Sequence, residues 1–144
     1  MGYAIPAGLA VALTYTNRPV VAVCGDGGIS MSLHSLISAV ELGVTMTVVV
    51  LDNGILGWVY NGQRGRVIAS ELAGFDYAGI ARAIGCQATS VETIEEFGLA
   101  LAKAKSSTGV SVIVAKTSKR DTYQDLMASL NAHDVYAVPE SIES

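Results

Sequence analysis

Two oxygen-bearing side chains, Asp26 and Asn53, stand where chemistry is easiest to build. Each follows a short apolar run. Val20 to Cys24 ends at Gly25-Asp26-Gly27-Gly28, and Met46 to Leu51 ends at Asp52-Asn53-Gly54. A carboxylate and an amide oxygen are hard ligands, suited to Mg²⁺ or Ca²⁺ and poorly suited to zinc or copper. Mg²⁺ is usually held by one or two carboxylates together with phosphate oxygens, not by a full protein cage. Gly27 and Gly28 have no side chains, so their N–H groups can come close to an anion. A helical pattern opening near Ser30 points its positive end at the same place, worth roughly 0.3–1 kcal/mol per favourable charge. Together these features describe a metal–diphosphate site. Singly they are weak: Gly-Asp-Gly-Gly is more often a tight turn, and Asp-Asn-Gly is a turn signal. Their order and separation carry the reading.

The elements around them must hold Asp26 and Asn53 at one edge. Leu33, Leu36, Ile37 and Val40 recur at i, i+3, i+4 and i+7, the helix period. Gly43 is a natural stop for that helix. Met46 to Leu51 is apolar apart from Thr47 and does not alternate, which suits a strand buried on both faces of a parallel sheet. Two parallel strands joined by a helix make a right-handed crossover, with both following loops at one edge. Open α/β sheets bind ligands at that edge. The expected fold class is therefore α/β, a doubly wound, mostly parallel sheet with helices on both faces.

The rest of the chain extends that alternation. Pro6 suits the first turn of a helix reaching about Tyr15, broken by Arg18-Pro19. Tyr60 to Gly65 reads as a loop or short helix over the site. Phe75 to Ser90 reads as a short helix, a stop at Gly85, and a strand from Gln87 to Ser90. Thr93 to Lys105 reads as a helix with Ile94, Phe97, Leu101 and Ala104 inward and Glu92, Glu95 and Glu96 near its positive end. Val110 to Lys116 is a further buried strand. Tyr123, Leu126, Met127 and Leu130 mark one face of a last helix, capped by Asp121 or Thr122. Residues 1–120 form the expected binding domain, and residues 121–144 a C-terminal helix and tail.

The 144 residues suffice for one domain. Hydrophobic residues make up 51% and charged ones 15%, and mean hydropathy is +0.44. So apolar a surface expects to be covered by a partner or by further polypeptide. A formal net charge of −4 with no basic run argues against nucleic acid. Cys24 and Cys86 have neither metal spacing nor a disulfide context, which fits a reducing cytoplasm. The N-terminus lacks the basic segment of a signal peptide, and no apolar run reaches the ~18 residues of a membrane span.

The stretch from Val20 to Trp58 resembles the thiamine diphosphate binding motif, Gly-Asp-Gly followed some two dozen residues later by Asn-Asn. Here 24 residues separate Gly27 from Asp52. Strand, helix and strand fall in the family's order. The resemblance implies the thiamine diphosphate-binding fold over residues 1 to about 117. It also implies thiamine diphosphate as cofactor and Mg²⁺ held by Asp26, Asn53 and the backbone carbonyl of Ile55. Gly25, Gly27, Gly28, Leu56 and Gly57 would lie against the cofactor. Met1-Gly2-Tyr3-Ala4-Ile5-Pro6-Ala7 resembles the family's Met-Gly-aromatic-x-x-Pro-Ala segment. In the acetolactate synthase-like branch that Met supports the bent cofactor, a place that falls to Met1. Trp58 would face the substrate, or else it is a core aromatic. Arg64 and Arg66 would attract an anionic substrate, or else they are solvated surface charges. His34 is expected to be structural or solvent-facing.

One departure is Asp52, where the family usually has Asn; its metal ligand is the second residue of the pair, Asn53. A second is that the family's domain starts a few tens of residues before the Met1 segment, so the chain is expected to be truncated at its N-terminus. The family's activating Glu lies on a separate pyrimidine-binding domain or subunit. The resemblance thus implies an oligomer, homo- or heteromeric, acting on a 2-oxo acid substrate, with this chain alone inactive. The alternative is a non-catalytic α/β nucleotide-binding or scaffold module. The missing Gly-x-Gly-x-x-Gly and Walker-type lysine weaken it.

Overall fold

The computed structural model describes residues 1–63 and 66–119. Helix α1 (Ala4–Thr14) leads to strand β1 (Val21–Gly25), then α2 (Asp26–Ser32) and α3 (His34–Glu41). Strand β2 (Met46–Asp52), α4 (Gly57–Gly62) and α5 (Tyr77–Ile84) follow, then β3 (Gln87–Val91), α6 (Ile94–Ser106) and β4 (Val110–Lys116). The strands form one sheet in the order β1-β2-β4-β3, parallel at every pairing. All four carboxyl ends therefore meet at one edge. The 2-residue period divides β2 and β4 between the faces. Met46, Val48 and Val50 of β2 and Val110, Val112 and Val114 of β4 face a core shared with Ile5, Ile29, Leu36 and Ala81. Ile113 turns the other way, onto Phe97, Leu101 and Ala104 of α6. Helices thus lie on both faces, as the doubly wound reading requires.

Three local expectations needed correction. The helix after β1 opens at Asp26, four residues before Ser30, because Gly25 is extended and serves as its N-cap. The hydroxyls of Ser30 and Ser32 donate to the carbonyls of Asp26 and Gly28, the kind of back-bond that bends helices, and the helix is interrupted at Leu33 between α2 and α3. Ile37 is half exposed although it shares the period of Leu36. Ile94 is 74% exposed and does not point inward. Cys86 is buried and Cys24 half-buried, and both thiols are free. Arg64 and the expected helix and tail, Tyr123 to Leu130 and His133 included, lie outside the described residues.

Among the described residues, the second face is covered only in part. Helix α6 packs on β3 and β4. Val21 and Val23 of β1 remain 50% and 54% exposed, and Leu51 of β2 44%. The apolar excess in the composition is therefore partly a half-exposed strip of sheet.

Candidate functional site

The carboxyl ends of β1 and β2 place Asp26 and Asn53 side by side, and a hydrogen bond through Gly54 joins the two turns. Asp26 is only 4% exposed. Its Oδ1 accepts from the N–H of Gly27 at 2.7 Å, and its Oδ2 from the N–H of Gly54 at 2.7 Å. Gly54 adopts φ +69, which suits glycine. The same N–H donates to Oδ1 of Asp52 at 3.1 Å. Asn53 turns its Oδ1 back onto the N–H of Ile55 at 3.2 Å, an Asx-type turn. Asp52 pairs through Oδ2 with the ammonium of Lys116, its register partner on β4. Burial pushes the Asp26 carboxyl above its ordinary value; the two N–H donors oppose this and the Asp52 charge adds to it. The Cys24 thiol is pushed up to about 11 by burial and by the Asp26 charge.

The turn after β2 is braced from outside. The N–H of Leu56 donates to the carbonyl of Ser70, and that of Leu72 to the carbonyl of Gly54. Gln63 clamps the same strap, donating to the carbonyl of Ile68 and accepting from the N–H of Ile68 and the hydroxyl of Ser70. A cavity of about 680 Å³ opens over the strand ends. All ten candidate site residues line it. Gly25, Asp26, Gly27 and Gly28 come from the first turn, and Asn53, Ile55, Leu56 and Gly57 from the second. Met1 and Trp58 line it too, and both are largely exposed. Trp58 is 77% exposed, so it is no core aromatic.

Gly27 lies under the ends of two flexible side chains. A Cβ there would come within 2.5 Å of the Leu56 Cδ2 and 2.9 Å of the Met1 Cε, which close over it. The N–H of Gly27 is already engaged by the Asp26 side chain, so it is not available to an anion as expected. Gly28 serves packing: a Cβ there would meet the Cβ of Cys24 at 3.1 Å. Arg66 and His34 are exposed and neither lines the cavity.

Sequence reasoning missed the contribution of β4. Thr117 and Ser118 line the cavity, and the N–H of Thr117 extends the sheet by donating to the carbonyl of Asp52. The signal was present, because a parallel strand ending at Lys116 must deliver its next residues to the same edge. It also missed Tyr77, whose hydroxyl bonds that of Ser30 at 2.9 Å and ties α5 to α2. A lone Tyr at a helix start carries no such signal.

The family of thiamine pyrophosphate enzymes, C-terminal TPP binding domain, matches residues 1–115. The chain belongs to this family. Among relatives of this TPP-binding domain, sulfoacetaldehyde acetyltransferase of Castellaniella defragrans is 36% identical over 107 residues, 72% of this chain and 18% of that protein. The acetolactate synthase large subunit of Haemophilus influenzae is 31% identical over 113 residues, 74% of this chain and 19% of that protein. The crystal structure of benzoylformate decarboxylase from Polynucleobacter necessarius superposes with a TM-score of 0.78 at 30% identity, covering 83% of this chain and 24% of that one. The chain spans about a fifth of the length of the curated relatives it matches. Family membership favours the cofactor reading over the nucleotide-binding module. No helix among the described residues is long and apolar enough to cross a membrane.

Proposed function

We propose that this TPP-binding domain holds the metal–diphosphate end of thiamine diphosphate in an enzyme that decarboxylates or ligates 2-oxo acids. The single observation that supports the reading is that Asp26 and Asn53, from the ends of β1 and β2, line one cavity together with Gly27. The donor set fits Mg²⁺. A carboxylate offers about four lone-pair sites, and Asp26 commits two of them to backbone N–H groups. The Asn53 amide oxygen and the carbonyl of Ile55 would complete the protein's share. Oxygen ligands of this number leave the remaining positions to phosphate and water.

When bound, the cofactor supplies the carbanion-stabilising chemistry. The chain's own residues bind and orient it. Asp26 stays fixed because Gly27 and Gly54 hold both its oxygens. Leu56 and Met1 present apolar atoms above Gly27. Trp58, exposed in the cavity lining, is placed to face substrate. The activating Glu belongs to a pyrimidine-binding domain or subunit that meets this one in an oligomer.

Trp58 is the only tryptophan and lines the cavity, so its fluorescence is a direct probe. Thiamine diphosphate should change its emission and raise the melting temperature only when Mg²⁺ is present, while ATP and NAD do neither. Asn53→Ala should weaken this response, and Asp52→Asn should largely preserve it. An equal response with and without Mg²⁺, or one lost in Asp52→Asn and kept in Asn53→Ala, would remove the assignment.

A further inference from the structure

Beside the site lies a second carboxylate that the metal–diphosphate reading does not use. Asp52 is buried, and it shares the N–H of Gly54 with Asp26. Asp26 lines the cavity and Asp52 lies outside its lining, but the two share one donor, so a ligand that is itself an anion would meet the field of both carboxylates. The structure answers this with a cation from a distant strand. Lys116 stands opposite Asp52 in the β2–β4 register, and its ammonium ion-pairs with Oδ2 of Asp52. The pair is half in solvent, since the Lys116 side chain is 48% exposed and that of Asp52 7%. Lys119 lies on the same side, its Nζ 3.9 Å from where a Cβ on Gly54 would stand. No group of three or more His, Cys, Asp or Glu side chains converges among the described residues, so they build no cage for a bare metal.

We propose that Lys116 is a positioning residue that sets what this site admits: by holding the charge of Asp52, it makes the cavity select a metal together with a diphosphate over the metal alone. The inference rests on the metal–diphosphate reading. Without Lys116, Asp52 becomes an unpaired carboxylate next to Asp26. Two free carboxylates attract a bare divalent cation more strongly and repel a diphosphate. The two affinities should therefore move in opposite directions. A merely structural role for Lys116 would lower both. Lys116→Arg should keep the pairing, and Asp52→Asn in the Lys116→Gln background should remove the exposed charge.

The test uses the 144-residue protein in wild-type, Lys116→Gln, Lys116→Arg, Asp52→Asn/Lys116→Gln and Asp26→Ala forms. Binding of Mn²⁺ alone is read by electron paramagnetic resonance, and binding of thiamine diphosphate in saturating Mg²⁺ by Trp58 fluorescence. Lys116→Gln is expected to bind bare Mn²⁺ more tightly and thiamine diphosphate more weakly, each on the order of tenfold, the scale of one nearby charge at an intermediate dielectric. The double variant and Lys116→Arg should both return to within about twofold of wild type. If both affinities fall together, or stay unchanged, or the double variant fails to recover, the proposal is overturned. Should Lys116→Gln not fold, the comparison of the double variant with wild type decides it, since the proposal requires equal affinities there. Asp26→Ala separates the two readings: retained Mg²⁺-dependent binding in that variant sinks the metal–diphosphate reading, and this proposal with it.

Discussion

Asp26 shows how far a single residue could be read. Its position after a strand and its distance from Asn53 were legible, because both are matters of order along the chain. Its burial was not. A carboxylate at a sheet edge is expected to face open solvent, and its removal should then cost the fold little. Here it accepts two short N–H bonds, one from Gly54 across the site. Asp26→Ala should therefore abolish Mg²⁺-dependent cofactor binding and also destabilise the fold by about 1–3 kcal/mol, the cost of orphaning a buried donor. Urea denaturation without ligand checks the second part. Cys24 offers a pH test. A thiol whose folded pKa is raised stabilises the fold while it is protonated. That contribution is complete below the ordinary value of 9.0 and is lost as pH rises through about 11. Melting temperature should fall more steeply between these limits in wild type than in Cys24→Ser.

At the scale of elements, strands were read more securely than helix faces. Val110 to Lys116 was bounded correctly because it is apolar on both sides and lies in the sheet's interior. Ile94 was misplaced because periodicity marks a face but not where the sheet beneath it ends. The start of α6 was legible from local chemistry. Thr93 accepts from the N–H of Glu96, and the Glu96 side chain accepts from the N–H of Thr93, a complete capping box. Thr93→Ala should cost about 1 kcal/mol, measured by chemical denaturation, with cofactor affinity unchanged because the cap is remote from the cavity. The strap from Ile68 to Leu72 was invisible in the sequence. It is held by one glutamine and by backbone bonds to the turn after β2, and neither has a periodic signature.

For the whole molecule, the strip formed by Val21, Val23 and Leu51 is the feature most in need of cover. The purified chain should self-associate, seen as a concentration-dependent mass in sedimentation, and it should release no CO₂ from pyruvate with thiamine diphosphate and Mg²⁺. Mixing with a chain carrying the pyrimidine-binding domain should tighten cofactor binding; CO₂ release by the isolated chain would mean that a complete site exists within it. The register of the sheet also bears on time. The ion pair beside the site joins Asp52 to a residue 64 positions away, and the four strands of the sheet pair with one another only in parallel. Such pairings form slowly, because loop closure precedes the contacts that reward it. The cavity edge is complete only once β4 has docked, so the cofactor meets a receptive chain after the rate-limiting encounter has passed. Saturating thiamine diphosphate and Mg²⁺ should consequently slow unfolding in stopped-flow experiments and leave the refolding rate unchanged.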